Sequence, residues 1–115
     1  MPLVKISTSV AAADNKRDAL MAAVSKAVAE ILAKPEPYMM VVMDTAPILF
    51  AGNKGPAAFV DLRSIGGLAP EANTRLAERL CRLLNESLAI PQDRVYLNFT
   101  DVRASHWGHD GHTVG

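Results

Sequence analysis

At 115 residues, half of them hydrophobic, the chain is long enough to bury a core of its own and reads as one domain, residues 1–115. Twelve Lys and Arg balance twelve Asp and Glu, so there is no electrostatic footprint for nucleic acid. No apolar run reaches the ~18 residues of a membrane span, and the lone Cys81 excludes a disulfide framework within the chain. With no apolar signal segment at the start, these features point to a reducing cytoplasm, any export being unconventional.

The elements read as strand–helix–strand, written twice. From Pro2 to Thr8, Leu3, Lys5 and Ser7 alternate with Val4, Ile6 and Thr8, the period of a strand. Asp14 is placed to cap a helix whose Leu20, Val24, Ala27, Val28 and Ile31 form one apolar stripe. Pro35 and Pro37 stop it just after Lys34, and Tyr38 to Met43 is an apolar run of strand length. The second unit begins with a strand over Ala57 to Leu62, ended by Gly66-Gly67. Pro70 and Glu71 suit the first turn of a helix with Leu76, Leu80, Leu83, Leu84 and Leu88 on one side. Pro91-Gln92-Asp93 breaks it, and Val95 to Asp101 is the last strand.

Two βαβ units share one crossover hand, which predicts an α/β fold: a four-stranded mixed sheet with both helices on one face. Met39 through Met43 is apolar at both parities, as in a strand covered on both sides. Two helices cover one face only. A second copy of the chain is the simplest cover for the other, so the pattern predicts an oligomer without fixing its number.

Several residues bear chemistry. Pro2 follows Met1, and removal of Met1 would leave a secondary amine, a base once burial or a nearby cation disfavours its charged form. Lys34 sits at a helix C-terminus, where a cation is favourable in any case; it is also suited to a carboxylate. Tyr96 and Asn98 alternate with Val95, Leu97 and Phe99, so they share the uncovered face. There they serve interface hydrogen bonds or a substrate's oxygens. His106, His109, Asp110 and His112 could ligate zinc, but their glycine-interrupted segment has no helix to align them, and no metal or other cofactor is expected. Cys81 reads as a packed small hydrophobe, and Arg75, Arg79 and Arg82 as a solvated face.

Met1-Pro2, Lys34-Pro35 with Tyr38, Asp61-Leu62-Arg63-Ser64-Ile65-Gly66 and Pro91-Gln92-Asp93-Arg94-Val95-Tyr96-Leu97-Asn98 together resemble the tautomerase superfamily, in its macrophage migration inhibitory factor branch. The resemblance covers essentially the whole chain. It implies a homotrimer with active sites between subunits and an isomerase that interconverts keto and enol forms of aryl 2-oxo acids such as phenylpyruvate. Pro2 would then be the general base, and Lys34, Ser64 and the backbone around Ile65 would hold the carboxylate end. Tyr96 and Asn98 would come from the adjacent subunit, with Tyr38, Trp107 and Val114 walling the ring. The alternative is a cytokine-like module that binds a receptor protein around a vestigial pocket. A third reading, hydration or dehalogenation of an unsaturated acid, lacks the extra arginines and acids it needs. The chain departs from the cytokine where Ala57-Ala58-Phe59-Val60 replaces a Cys-x-x-Cys pair, which removes thiol–disulfide exchange. It departs again where Trp107 and His109 change the pocket rim, which weakens the expectation of activity on dopachrome.

Overall fold

The computed structural model describes Met1–Gly115 throughout. Strand β1 spans Pro2–Thr8, helix α1 Asp14–Leu32, β2 Met40–Thr45, β3 Ala58–Ser64, α2 Pro70–Leu88 and β4 Val95–Asp101. The repeat is visible in the numbering: β1 and β3, and likewise α1 and α2, begin 56 residues apart, at Pro2 and Ala58 and at Asp14 and Pro70. The sheet order is β2-β1-β3-β4. β1 runs parallel to β2, β3 parallel to β4, and β1 antiparallel to β3. This is the mixed four-stranded sheet expected of two βαβ units, joined along an antiparallel seam.

Packing follows the alternation. Val4 and Ile6 of β1, with Val60 and Leu62 of β3, are fully buried against Leu20, Val24 and Val28 of α1 and Leu76, Leu80 and Leu84 of α2. Leu83, expected within the α2 stripe, is only partly buried at the margin of this core. Cys81 is buried as a small apolar group, and burial pushes its thiol pKa up. Arg79 reaches Glu30 at 3.5 Å across the helix pair, at the surface, where such a pair adds little.

Two local expectations are corrected. Asp14 does not cap α1: Ala13 is the N-cap residue, without a side-chain bond, and Asp14 is the first helical residue. There its charge still favours the helix dipole, and it lies 3.4 Å from Arg17. Tyr38 and Met39 do not belong to β2. Glu36–Tyr38 forms a 3-10 turn in which the Tyr38 and Met39 N–H groups donate to the Pro35 and Glu36 carbonyls, so the strand starts at Met40. The two prolines impose that turn before pairing with β1 can begin.

The other sheet face is open. Met40 and Val42 of β2 are 60% and 38% exposed, Phe59 43% and Tyr96 67%, while Met39, Val41 and Met43 pack partly against the core. Between them run Lys5, Asp61 with Arg63 at 3.1 Å, and Asn98. The apolar residues at both parities of β2 therefore have a partner on one side only.

Candidate active site

The site is built where β1 starts. Pro2 is buried and lies opposite Ser64, the last residue of β3, while Leu3 lies opposite Met40, the first of β2. A cavity of about 340 Å³ opens at this corner, lined by Pro2, Tyr38, Met40, Trp107 and His109 among others. Tyr38 reaches it because the proline-bounded turn swings its side chain out of the strand, leaving it 54% exposed.

Lys34 borders the corner through α1. Ala33 adopts a left-handed conformation (φ 53°) and ends the helix, directing Lys34 towards the loop after β3. There its Nζ donates to the Ile65 carbonyl at 3.2 Å. Gly67 lies beside this lysine with φ +85°, a left-handed conformation that favours glycine. The Met1 amino group, at the mouth of the same cavity, is held below the ordinary α-amino range, first by burial and second by the Lys34 charge.

Ser64 holds the turn after β3. It is fully buried, and its hydroxyl donates to the Gly66 carbonyl at 2.8 Å. Asp101, at the end of β4, accepts from the Gly66 N–H at 3.0 Å. These two bonds hold the turn that presents the Ile65 carbonyl to Lys34. Asp101 went unnoticed in the sequence; its register opposite Ser64 on a parallel strand is what gives it this role.

Residues 104–115 form the outer wall. A 3-10 turn at Ala104–His106 precedes a small hairpin, β5 Gly108–His109 with β6 His112–Thr113, turning on Asp110 and Gly111 at positive φ. The Val114 N–H returns to the Trp107 carbonyl at 2.9 Å and the Gly115 N–H to Ala104 at 3.1 Å, so the segment clasps itself and fixes Trp107 at the cavity. Val114 buttresses Trp107 through the backbone and does not itself line the cavity. The histidines do not converge: no group of three or more His, Cys, Asp or Glu side chains is placed to hold a metal ion.

Tyr96 and Asn98 are not brought to this corner. Both are exposed on the open face, as the alternation of β4 predicts. Tyr96 lies opposite Phe59, itself opposite Ser7; Asn98 lies opposite Asp61, itself opposite Lys5. At roughly 3.3 Å per residue and 4.8 Å per strand, their backbones stand about 19 and 14 Å from Pro2. Within one chain the candidate residues thus fall into two separated groups, Pro2 with Lys34, Tyr38, Ile65 and Trp107 at one corner and Tyr96 with Asn98 away from it.

The family model for macrophage migration inhibitory factor matches residues 1–115. The chain belongs to the macrophage migration inhibitory factor family. It is 38% identical to a macrophage migration inhibitory factor homolog of Trichuris trichiura, an alignment covering 98% of this chain and 99% of that protein. It is 32% identical to the macrophage migration inhibitory factor of Rattus norvegicus, covering 98% of each. The crystal structure of the homologue from Prochlorococcus marinus superposes with a TM-score of 0.94 at 37% identity, over 98% of this chain and 99% of that one. Both βαβ units and the C-terminal clasp lie within these matches, so the macrophage migration inhibitory factor fold, a tautomerase-superfamily fold, accounts for the whole architecture. No helix is long and apolar enough to cross a membrane.

Proposed function

We propose that the protein is a cofactor-independent keto–enol tautomerase of aryl 2-oxo acids such as phenylpyruvate, working as a homotrimer after Met1 is removed. The observation that carries this reading is the corner itself: the buried strand-opening Pro2 borders an aromatic-walled cavity beside a terminal amine whose pKa burial and Lys34 both lower. A general base is most effective with a pKa near the working pH, and these two causes move an amine that way.

The neutral Pro2 amine takes a proton from the carbon next to the ketone. The C–H electron pair becomes the C=C bond, the carbonyl pair moves to oxygen, and the enolate oxygen takes a proton to give the enol. The ammonium of Pro2 returns its proton to solvent or product, so the reaction is a net isomerisation without oxidant or cofactor. Lys34 pairs with the carboxylate beside the Ile65 turn, while Tyr38 and Trp107 flank the ring. Tyr96 and Asn98 of a neighbouring copy complete the pocket. Their separation from Pro2 within one chain, together with the open sheet face, supports sites formed between copies. The name of the relatives, a factor that inhibits macrophage migration, keeps a cytokine-like protein-interaction role as a second reading, in which the pocket chemistry is dispensable.

The test is an enol–ketone assay with phenylpyruvate on the wild type, Pro2→Gly and a form retaining Met1. A fall of about two to four orders of magnitude in kcat is expected for the form retaining Met1, the range for losing a general base, and a smaller fall for Pro2→Gly, which keeps a primary amine at that place. Equal rates in all three remove Pro2 from the reaction.

A further inference from the structure

We propose that Arg94 is a positioning residue for Tyr96, acting through Phe50; this rests on the reading above that Tyr96 meets substrate in a neighbouring copy. The segment between β2 and β3 has little regular structure, its internal ties being the paired bonds between Phe50 and Asn53 at 3.0 and 2.9 Å and the Gly55 N–H donating to Asn53 Oδ1 at 2.7 Å. Arg94 gathers that segment onto the start of β4. Its Nε donates to the Pro56 carbonyl at 2.7 Å, and Nη2 to the Asn53 and Gly55 carbonyls at 2.9 and 3.0 Å. Nη1 reaches the Phe50 carbonyl at 3.4 Å.

The same guanidinium lies against the Phe50 ring, 5.2 Å from its centroid. Both the backbone and the side chain of Phe50 are therefore held by one residue. The Phe50 ring in turn meets Tyr96, centroids 5.0 Å apart and planes at 68°, an edge-to-face contact. Tyr96 is 67% exposed, so this edge-to-face contact is an aromatic restraint on an otherwise open ring. Arg94 and Tyr96 stand two residues apart at the entry to β4, which lets one short stretch carry both the clasp and the residue it orients.

Lysine cannot substitute. Its ammonium has three donors and no planar fork, so it cannot serve carbonyls spread over residues 50 to 56 while also stacking on a ring. A residue that only stabilised the segment would change the fraction of folded enzyme. One that orients Tyr96 changes how substrate is held, and that difference is measurable.

The experiment compares full-length wild type, Arg94→Lys and Phe50→Leu by two readouts. The chain has two tyrosines, Tyr38 and Tyr96, so isotope-labelled tyrosine gives two sets of ring resonances, with Tyr38 as the internal reference. In both variants the Tyr96 ring signals are expected to move towards those of free tyrosine while Tyr38 stays in place. With phenylpyruvate, KM is expected to rise about three- to tenfold with kcat within about twofold, the scale of one lost aromatic pair. Unmoved Tyr96 signals overturn the proposal, as does a lower kcat at unchanged KM. If Arg94→Lys fails to fold, Phe50→Leu decides, because it keeps the backbone bonds of the clasp and removes the ring through which Arg94 would act on Tyr96. A wild type without tautomerase activity refutes the proposed function instead, while the Tyr96 signals still decide the role of Arg94.

Discussion

Replacing Lys34 by methionine keeps the length of the side chain and removes its charge, which separates two effects at the corner. The first is binding. Lys34 Nζ stands half-buried, 3.2 Å from the Ile65 carbonyl, and in the proposed function it gives a charge-assisted bond to a substrate carboxylate. Such a bond contributes about 1.5–3 kcal/mol, so kcat/KM should fall roughly 10- to 150-fold. The second is protonation. The Met1 amine is held down by burial first and Lys34 second, and the proposed mechanism requires the same two causes to act on the Pro2 amine once Met1 is gone. Deleting the like charge raises that pKa, so the acidic limb of the kcat/KM profile moves to higher pH. The displacement is the smaller share of the total, because burial remains. The assay is the pH dependence of kcat/KM for phenylpyruvate in Lys34→Met and the wild type. A variant within twofold of wild type at every pH, with the limb unmoved, would refute both the carboxylate contact and the electrostatic argument.

Two further perturbations test the scaffold that holds the site. Leu80 is fully buried between α2 and the sheet, so Leu80→Ala should cost about 2–5 kcal/mol, read as a lower urea midpoint. A loss below about 1 kcal/mol would mean that the core around it collapses freely. At Gly115 a Cβ would stand 2.7 Å from the Ala104 Cβ and 3.1 Å from its carbonyl carbon. Gly115→Val should therefore unseat the C-terminal clasp and shift Trp107 fluorescence to longer wavelength. Because the clasp is largely exposed, global stability should change by under about 1 kcal/mol; unchanged emission would contradict the clasp.

Much of the fold is legible in the pattern of side chains. β1 and β4 follow from strict alternation, and the stripes Leu20–Ile31 and Leu76–Leu88 from helical spacing. The start of β2 is less legible, because the run from Tyr38 is apolar throughout and only backbone bonds to Pro35 and Glu36 show where the turn ends. Pro2 and Lys34 stand out by their own chemistry, but their grouping with Tyr38, Ile65 and Trp107 in one site is legible only through resemblance. Pro2, Lys34, Tyr38, Ile65 and Trp107 are scattered along the chain and meet through sheet register and a left-handed helix end, neither of which has a local signature. Ser64 is the instructive case: the resemblance assigns it to the substrate's carboxylate end, and its burial and its bond to Gly66 give it a structural part in the turn that no sequence pattern announces.

The distance between Pro2 and Tyr96 along the sheet has a genetic consequence. If the two half-sites meet only between copies, the interface is head-to-tail, and each copy lends one kind of half-site to each neighbour in a closed ring. Two inactive proteins, one lacking Pro2 and the other lacking Asn98, then hold a complete set of parts between them. Unfolded and reassembled together in equal amounts, they should regain about a quarter of the intact sites, because one junction in four pairs an undamaged Pro2 with an undamaged Asn98. A separation measured within one chain thus becomes complementation between two broken ones.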